Sequence, residues 1–160
     1  MTTMEDTRYD VAIVGAGYVG VPLAEVFADA GRRVLLVDVS AERVAMLNRG
    51  ESYIEDVPST RLAHLVANGL SATTDYDELR HAAAILIALP TPLSKQREPD
   101  LAIVRAASEQ IATRLRPGHL VVLESTTYPG TTRDEVLPIL ERGSGLVAGQ
   151  GFHLAYSPER

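Results

Sequence analysis

The chain is 160 residues long, a length that fits one domain. Hydrophobic residues make up 46% and charged residues 22%, enough apolar material for a core and no signature of a disordered chain. A formal net charge of −6 disfavours a nucleic-acid partner, and the absence of cysteine removes disulfides, thiolate metal sites and a cysteine nucleophile from these residues.

Residues 1–8 are polar and read as a flexible tail with no basic-then-apolar leader pattern. No apolar run reaches the roughly 18–20 residues that span a bilayer, so a soluble, cytoplasmic protein with no membrane partner is expected. Residues 9–14 form a short apolar run closed by Gly15, Ala16 and Gly17, which predicts a buried strand. Residues 18–30 follow as a helix, with Val19, Leu23, Val26, Phe27 and Ala30 on its apolar face. Pro22 suits the first turn and Gly31 the C-terminal stop.

The alternation then repeats. A strand is expected over 34–39, a helix over 41–48, a loop over 51–58, a helix over 59–68 and a strand over 70–73. A short helix over 75–81 leads to a continuous apolar strand at 83–89, a pattern that needs burial on both faces. Pro90, Pro92 and Pro99 predict an irregular loop, and Asp100 a cap for a helix running to about Leu115. A strand at 119–124, a loop at 125–130, a helix capped by Thr131 or Thr132 and kinked at Pro138, and a strand at 152–156 complete the reading. Strands alternating with helices, with no hairpin signals, predict an α/β fold: a doubly wound parallel sheet, Rossmann-like, in a single domain over 9–160.

Gly15, Gly17 and Gly20 match G-x-G-x-x-G between a predicted strand and a predicted helix, the setting in which that pattern binds a dinucleotide. Gly15 permits the turn, Gly17 lets main chain approach a pyrophosphate, and Gly20 lets the helix pack close. The helix start adds N–H donors and a partial positive charge. Without a ligand, the same residues would be a glycine-rich turn. Asp38 lies 18 positions after Gly20, near the roughly 20-residue offset of the acidic residue that accepts from the adenosine ribose. Its charge would repel a 2′-phosphate, which favours NAD over NADP. Arg43, one helical turn on, is either a second ribose or adenine contact or a solvated helix residue.

Thr91, Ser125, Thr126, Ser157 and Glu159 each follow a predicted strand. In a parallel sheet those ends share one edge, so Gly15–Gly20, Asp38, Thr91, Thr126 and Glu159 are expected to converge. His64, His81, His119 and His153 have no partner at ligand spacing, so no metal site is expected. No serine sits in a G-x-S-x-G elbow, and Lys95 reads as a solvated loop tip.

Several blocks, in order, resemble the UDP-glucose/GDP-mannose dehydrogenase family: Val14-Gly15-Ala16-Gly17-Tyr18-Val19-Gly20-Val21-Pro22, Ala88-Leu89-Pro90-Thr91-Pro92, Glu124-Ser125-Thr126-Thr127-Tyr128-Pro129-Gly130-Thr131-Thr132 and Ser157-Pro158-Glu159-Arg160. The stretch from Pro92 to Leu101 is similar to the branch acting on UDP-N-acetylglucosamine. The resemblance implies oxidation of a nucleotide-sugar 6-hydroxyl through the aldehyde to the uronate, with two NAD per turnover, for surface polysaccharide precursors. It implies a homo-oligomer and a UDP-sugar partner. In the family, a cysteine of a C-terminal domain carries the aldehyde as a thiohemiacetal and then a thioester. This chain lacks that cysteine, and the resemblance reads it as the cofactor half, binding dinucleotide but turning over nothing alone.

By the same resemblance, Gly15, Gly17 and Gly20 with the amides of Tyr18 and Val19 hold the pyrophosphate. Asp38 and Arg43 meet the adenosine ribose, and Pro90 and Thr91 line the nicotinamide side. Thr126 is implied to touch cofactor and to position a catalytic water, and Glu159 to activate it. Alternative readings are a non-catalytic dinucleotide-binding module, a UDP-glucose or UDP-N-acetylmannosamine dehydrogenase, and a β-hydroxyacid dehydrogenase sharing only the glycine pattern.

Overall fold

A computed structural model of the chain describes residues 6–158. Six strands, β1 (Tyr9–Val14), β2 (Val34–Val37), β3 (Leu70–Thr73), β4 (Ala82–Ile87), β5 (Leu120–Leu123) and β6 (His153–Tyr156), form one parallel sheet in the order β3-β2-β1-β4-β5-β6. Five helices connect them: α1 (Gly20–Asp29), α2 (Ala41–Asn48), α3 (Ser59–Ala67), α4 (Ala102–Ala112) and α5 (Leu137–Ser144). A 3-10 turn at Tyr76–His81 precedes β4, and a π-helical turn at Thr132–Val136 precedes α5. The chain winds outward from β1 in one direction and from β4 in the other. The reversal between them is the switch point at which such sheets open a crevice.

Alternating strand residues feed two cores. Val11 and Ile13 of β1, Val34 and Leu36 of β2 and Leu86 of β4 pack with Val21, Leu47, Leu62 and Leu65 from α1–α3. Ala12 and Val14, Leu35 and Val37, Ile85 and Ile87, and Val121 and Leu123 pack on the opposite face with Val104, Ile111, Leu140 and Phe152. Coverage on both faces is why the strands carry unbroken apolar runs instead of alternation.

Local chemistry shifts several expected elements. The inward side of α1 is Gly20, Val21 and Ala24, and the expected Val19, Leu23 and Phe27 pack against the same core, while Val26 is 64% exposed and Ala30 is also exposed. Small residues win that face because they let the helix axis approach β1. The helix starts at Gly20, not residue 18, and β2 stops at Val37, leaving Asp38 just past its end. Likewise α4 ends at Ala112 instead of Leu115, closing with turns in which Arg114 N donates to Ile111 O and Leu115 N to Ala112 O. Asp100 does serve that helix, accepting from Ala102 N at 2.9 Å.

Neither Thr131 nor Thr132 caps a helix by its side chain; the Thr131 hydroxyl donates to Tyr128 O at 2.8 Å. Pro138 sits in the first turn of α5, where it needs no N–H partner, so there is a π-helical lead-in instead of a mid-helix kink. The proline-rich loop is a small hairpin closed by a Leu93–Pro99 bridge and by Ser94 N donating to Glu98 O at 2.7 Å. Of the 1–8 stretch, residues 1–5 lie outside the described residues. Arg8 N donates to His81 O at 2.8 Å, and Asp6 pairs with Arg116. His119, ahead of β5, is buried, and its Nδ1 accepts from Arg116 N at 3.0 Å.

Candidate functional site

The sheet's hydrogen bonding runs past the last strand residues at the carboxyl edge. Gly15 N donates to Val37 O at 2.8 Å, Asp38 N to Thr73 O at 3.1 Å and Ala88 N to Val14 O at 2.8 Å. On the far side, Glu124 N and Ser125 N donate to Ile87 O at 2.9 and 3.1 Å, and Ser157 N to Leu123 O at 3.0 Å. The first residue after β1, β2, β4, β5 and β6 is thus fixed to the neighbouring strand. Gly15, Asp38, Ala88, Glu124, Ser125 and Ser157 stand along one rim. Thr91 and Thr126 join them through a bond from the Thr91 hydroxyl to Thr126 O at 2.6 Å. Glu159 lies outside the described residues; Ser157, two positions earlier, is on this rim.

At the switch point the glycine turn is built by contact. Gly15 has φ +109°, and a Cβ there would lie 2.5 Å from Ala88 O. A Cβ on Gly20 would lie 1.7 Å from Gly15 O, so Gly20 serves the turn itself before it serves helix packing on Ile13. At Gly17 a Cβ would meet nothing within 4 Å, which marks the open side of the turn. The first turn of α1 has no side-chain cap; Val21 N donates to Gly17 O at 3.1 Å, and the positive end of the helix lies at that opening. The opening is a cavity of about 280 Å3 bounded by Gly15, Gly17, Tyr18, Val19, Asp38 and Arg43, with Pro90 on its wall. This shape fits a diphosphate held by main chain, with no glycine side chain in the way.

Asp38 binds the turn before any ligand does. Its Oδ2 accepts from Ala16 N at 2.9 Å and its Oδ1 from Ser40 N at 2.8 Å. Each carboxylate oxygen has a second lone-pair site, so Asp38 can still accept ribose hydroxyls. Arg43, exposed in the first turn of α2, places its guanidinium 5.2 Å from the centre of the Tyr53 ring. Behind Asp38 lies a larger apolar cavity of about 460 Å3, walled by Val39, Tyr76, Leu89, Ile103, Ala106 and Gln110. Its size and apolar walls suit a planar base beside the carboxylate.

A smaller cavity of about 160 Å3 joins Val19, Leu89, Thr91, Glu124, Ser125 and Thr126 on the other side of the turn. Ser125 is buried, and its hydroxyl accepts from Leu89 N at 3.0 Å and donates to Ile87 O at 3.3 Å, clamping the β4 exit to the β5 exit. Burial raises the Glu124 carboxyl above the usual carboxylate range, with a hydrogen bond to Ser157 opposing the shift.

All the sequence-predicted cofactor residues, Gly15, Gly17, Tyr18, Val19, Gly20, Asp38, Arg43, Pro90, Thr91 and Thr126, therefore lie on this rim or on the cavities along it. Sequence reasoning missed Tyr53, Tyr76 and the α4 residues Ile103, Ala106 and Gln110. In the sequence the last group reads as ordinary helix residues; only the structure shows that Ile103 is exposed.

Comparison with known proteins agrees with this fold. The UDP-glucose/GDP-mannose dehydrogenase family, NAD binding domain, matches residues 9–160. The chain is 39% identical over 157 residues to a UDP-N-acetyl-D-glucosamine 6-dehydrogenase of Pseudomonas aeruginosa, covering 98% of this chain and 36% of that protein. It is 38% identical over 154 residues to the UDP-glucose 6-dehydrogenase AglM of Haloferax volcanii, covering 94% and 36%. The crystal structure of a GDP-mannose dehydrogenase ternary complex from Pseudomonas aeruginosa superposes with a TM-score of 0.90 at 32% identity, covering 94% of this chain and 36% of that one. The chain thus spans about a third of the length of these relatives. Matched to the family over residues 9–160 and to these relatives along nearly its whole length, the chain belongs to the UDP-glucose/GDP-mannose dehydrogenase family as its NAD-binding domain.

Proposed function

We propose that this chain is the cofactor half of a cytoplasmic nucleotide-sugar 6-dehydrogenase that oxidises the 6-hydroxyl of UDP-N-acetylglucosamine to the uronate, supplying a surface polysaccharide precursor. The observation that carries the reading is the gathering of the glycine turn, Asp38, Thr91 and Thr126 on one rim of the sheet. The named activity of the Pseudomonas aeruginosa relative at 39% identity supports this sugar; that of the Haloferax volcanii relative at 38% supports UDP-glucose as the second reading.

Residues 9–160 act as one dinucleotide-binding domain. The uncapped start of α1, with the amides of Tyr18 and Val19, holds the diphosphate through Gly15, Gly17 and Gly20. Asp38 accepts from the adenosine ribose, Arg43 flanks it, and the base enters the apolar cavity beside Tyr76. Pro90 and Thr91 line the nicotinamide side, where NAD, when bound, supplies the hydride acceptor. Thr126 faces the same small cavity and positions water there, with Glu159 as the general base that takes its proton. The sugar nucleotide is held by the rest of a homo-oligomeric protein. With no cysteine in these residues, the chain alone binds NAD without turnover.

Calorimetric titration tests the cofactor assignment. NAD should bind at least about tenfold more tightly than NADP, because Asp38 faces a 2′-phosphate as a like charge. Asp38→Ala should weaken NAD binding and narrow that ratio. Equal affinity for the two dinucleotides would sink the Asp38 assignment. Sustained NADH absorbance from this chain with UDP-N-acetylglucosamine would sink the claim that it is catalytically incomplete.

A further inference from the structure

Residues 51–58 join α2 to α3, and their path is fixed at several points. Ile54 and Val57 are buried in the core, Ser52 N donates to Ser59 Oγ at 3.0 Å, and Ile54 N donates to Ser52 Oγ at 3.1 Å. Tyr53, between these anchors, points at the glycine turn. Its hydroxyl donates to Ala16 O at 2.5 Å. Since Ala16 N donates to Asp38, the residue at the centre of Gly15-Ala16-Gly17 is gripped by one partner on its amide side and another on its carbonyl side.

The ring of the same tyrosine lies under the Arg43 guanidinium, 5.2 Å from its carbon to the ring centre. Among the described residues Arg43 makes no ion pair, in contrast to Arg33, Arg49, Arg61, Arg105 and Arg114, each held by a carboxylate. A carboxylate partner would consume the N–H donors and cancel the charge. An aromatic face fixes the guanidinium while leaving its edge donors open. Arg43 and Tyr18 border both the cavity at the glycine turn and a neighbouring one of about 260 Å3 that Tyr53 lines.

We propose that Tyr53 is a positioning residue for the dinucleotide, holding the Arg43 cation with its donors free toward the ligand and locking the Ala16 carbonyl of the phosphate-binding turn. The proposal rests on the NAD-binding reading above and adds to it a residue from outside the glycine motif. Burial and the Asp38 carboxylate push the Tyr53 hydroxyl up to about 12, with Arg43 opposing, so the group remains a donor at any physiological pH.

Calorimetry with NAD on this chain and on single and paired variants tests it. Y53F keeps the ring and loses the bond to Ala16, so NAD should bind about fivefold more weakly. Y53L also removes the face under Arg43 and should lose about a further fivefold to tenfold. In an R43M background, Y53L and Y53F should bind NAD alike, because the ring then has no cation to hold. A merely structural tyrosine predicts the opposite, a Y53L penalty that persists without Arg43, and that result overturns the proposal. Wild-type affinity in Y53F also overturns it, and this arm decides the matter if Y53L fails to fold. An unmutated chain that does not bind NAD would overturn the cofactor reading itself.

Discussion

Gly15 and Gly20 meet across a gap with no room for a methyl group, while Gly17, between them, faces open space. The three glycines of one motif therefore predict two different phenotypes. Gly20→Ala forces a carbon against Gly15 O, and should destabilise the fold by about 1–3 kcal/mol or more in urea denaturation. Gly17→Ala should leave the unfolding midpoint nearly unchanged and still reduce NAD affinity, because its methyl occupies only the space a phosphate needs. Equal stability loss in both variants would show that the turn is not divided in this way. At this scale the sequence was most informative where backbone geometry demands glycine or a charge sits just after a strand, as with Gly15 and Asp38. Tyr53 was illegible because its contact with Ala16 spans 37 positions and has no local signature.

Ser125 shows how elements, not single residues, hold the site together. Its hydroxyl bonds both Leu89 N and Ile87 O, so the loops leaving β4 and β5 are tied to each other. Ser125→Ala would leave the Leu89 amide without its partner and should cost about 1–3 kcal/mol, measurable as a lower urea midpoint. NAD affinity should fall as well, since Thr91 and Thr126 sit on these two loops. A variant with unchanged stability would mean that water replaces the hydroxyl.

The existence of the six strands and five helices was readable, because unbroken apolar strands and glycine stops leave little choice. Element ends were less so. Residues 18 and 19 belong to the turn, since Gly20 must touch Gly15 O before the helix can begin. Val26 fits the helical spacing yet faces solvent, since the close approach of α1 to β1 favours Gly20 and Ala24. The small hairpin closed by Leu93 and Pro99 was hidden by prolines that otherwise signal irregular loop.

Across the whole molecule, the two rims of the sheet have different jobs. His119 sits buried at the rim away from the glycine turn, where burial and the nearby Arg116 charge lower its proton affinity below the ordinary value of 6.5. The unfolded chain therefore binds this proton more readily than the folded one. The stability contribution is complete above pH 6.5 and declines as pH falls from there through the folded-state value. Asp10 and Asp77, held below their ordinary 3.8 by Arg33 and by Arg114 with Arg80, lose their contributions only at more acid pH. Urea midpoints measured from pH 7.5 to about 5 should fall, and His119→Gln should flatten that slope. A slope that survives the substitution would assign it to other groups.

The hydrogen-bond ladder that continues beyond the strand ends has one last consequence. Amide protons of Gly15, Asp38, Ala88, Glu124 and Ser157 are tied to neighbouring strands before any cofactor arrives. In deuterium-exchange experiments on the ligand-free chain they should therefore exchange as slowly as residues within the strands, with NAD adding little further protection there. The ordering of these loops is then completed when the chain folds, so the free energy of capture is not reduced by loop entropy at the moment of encounter.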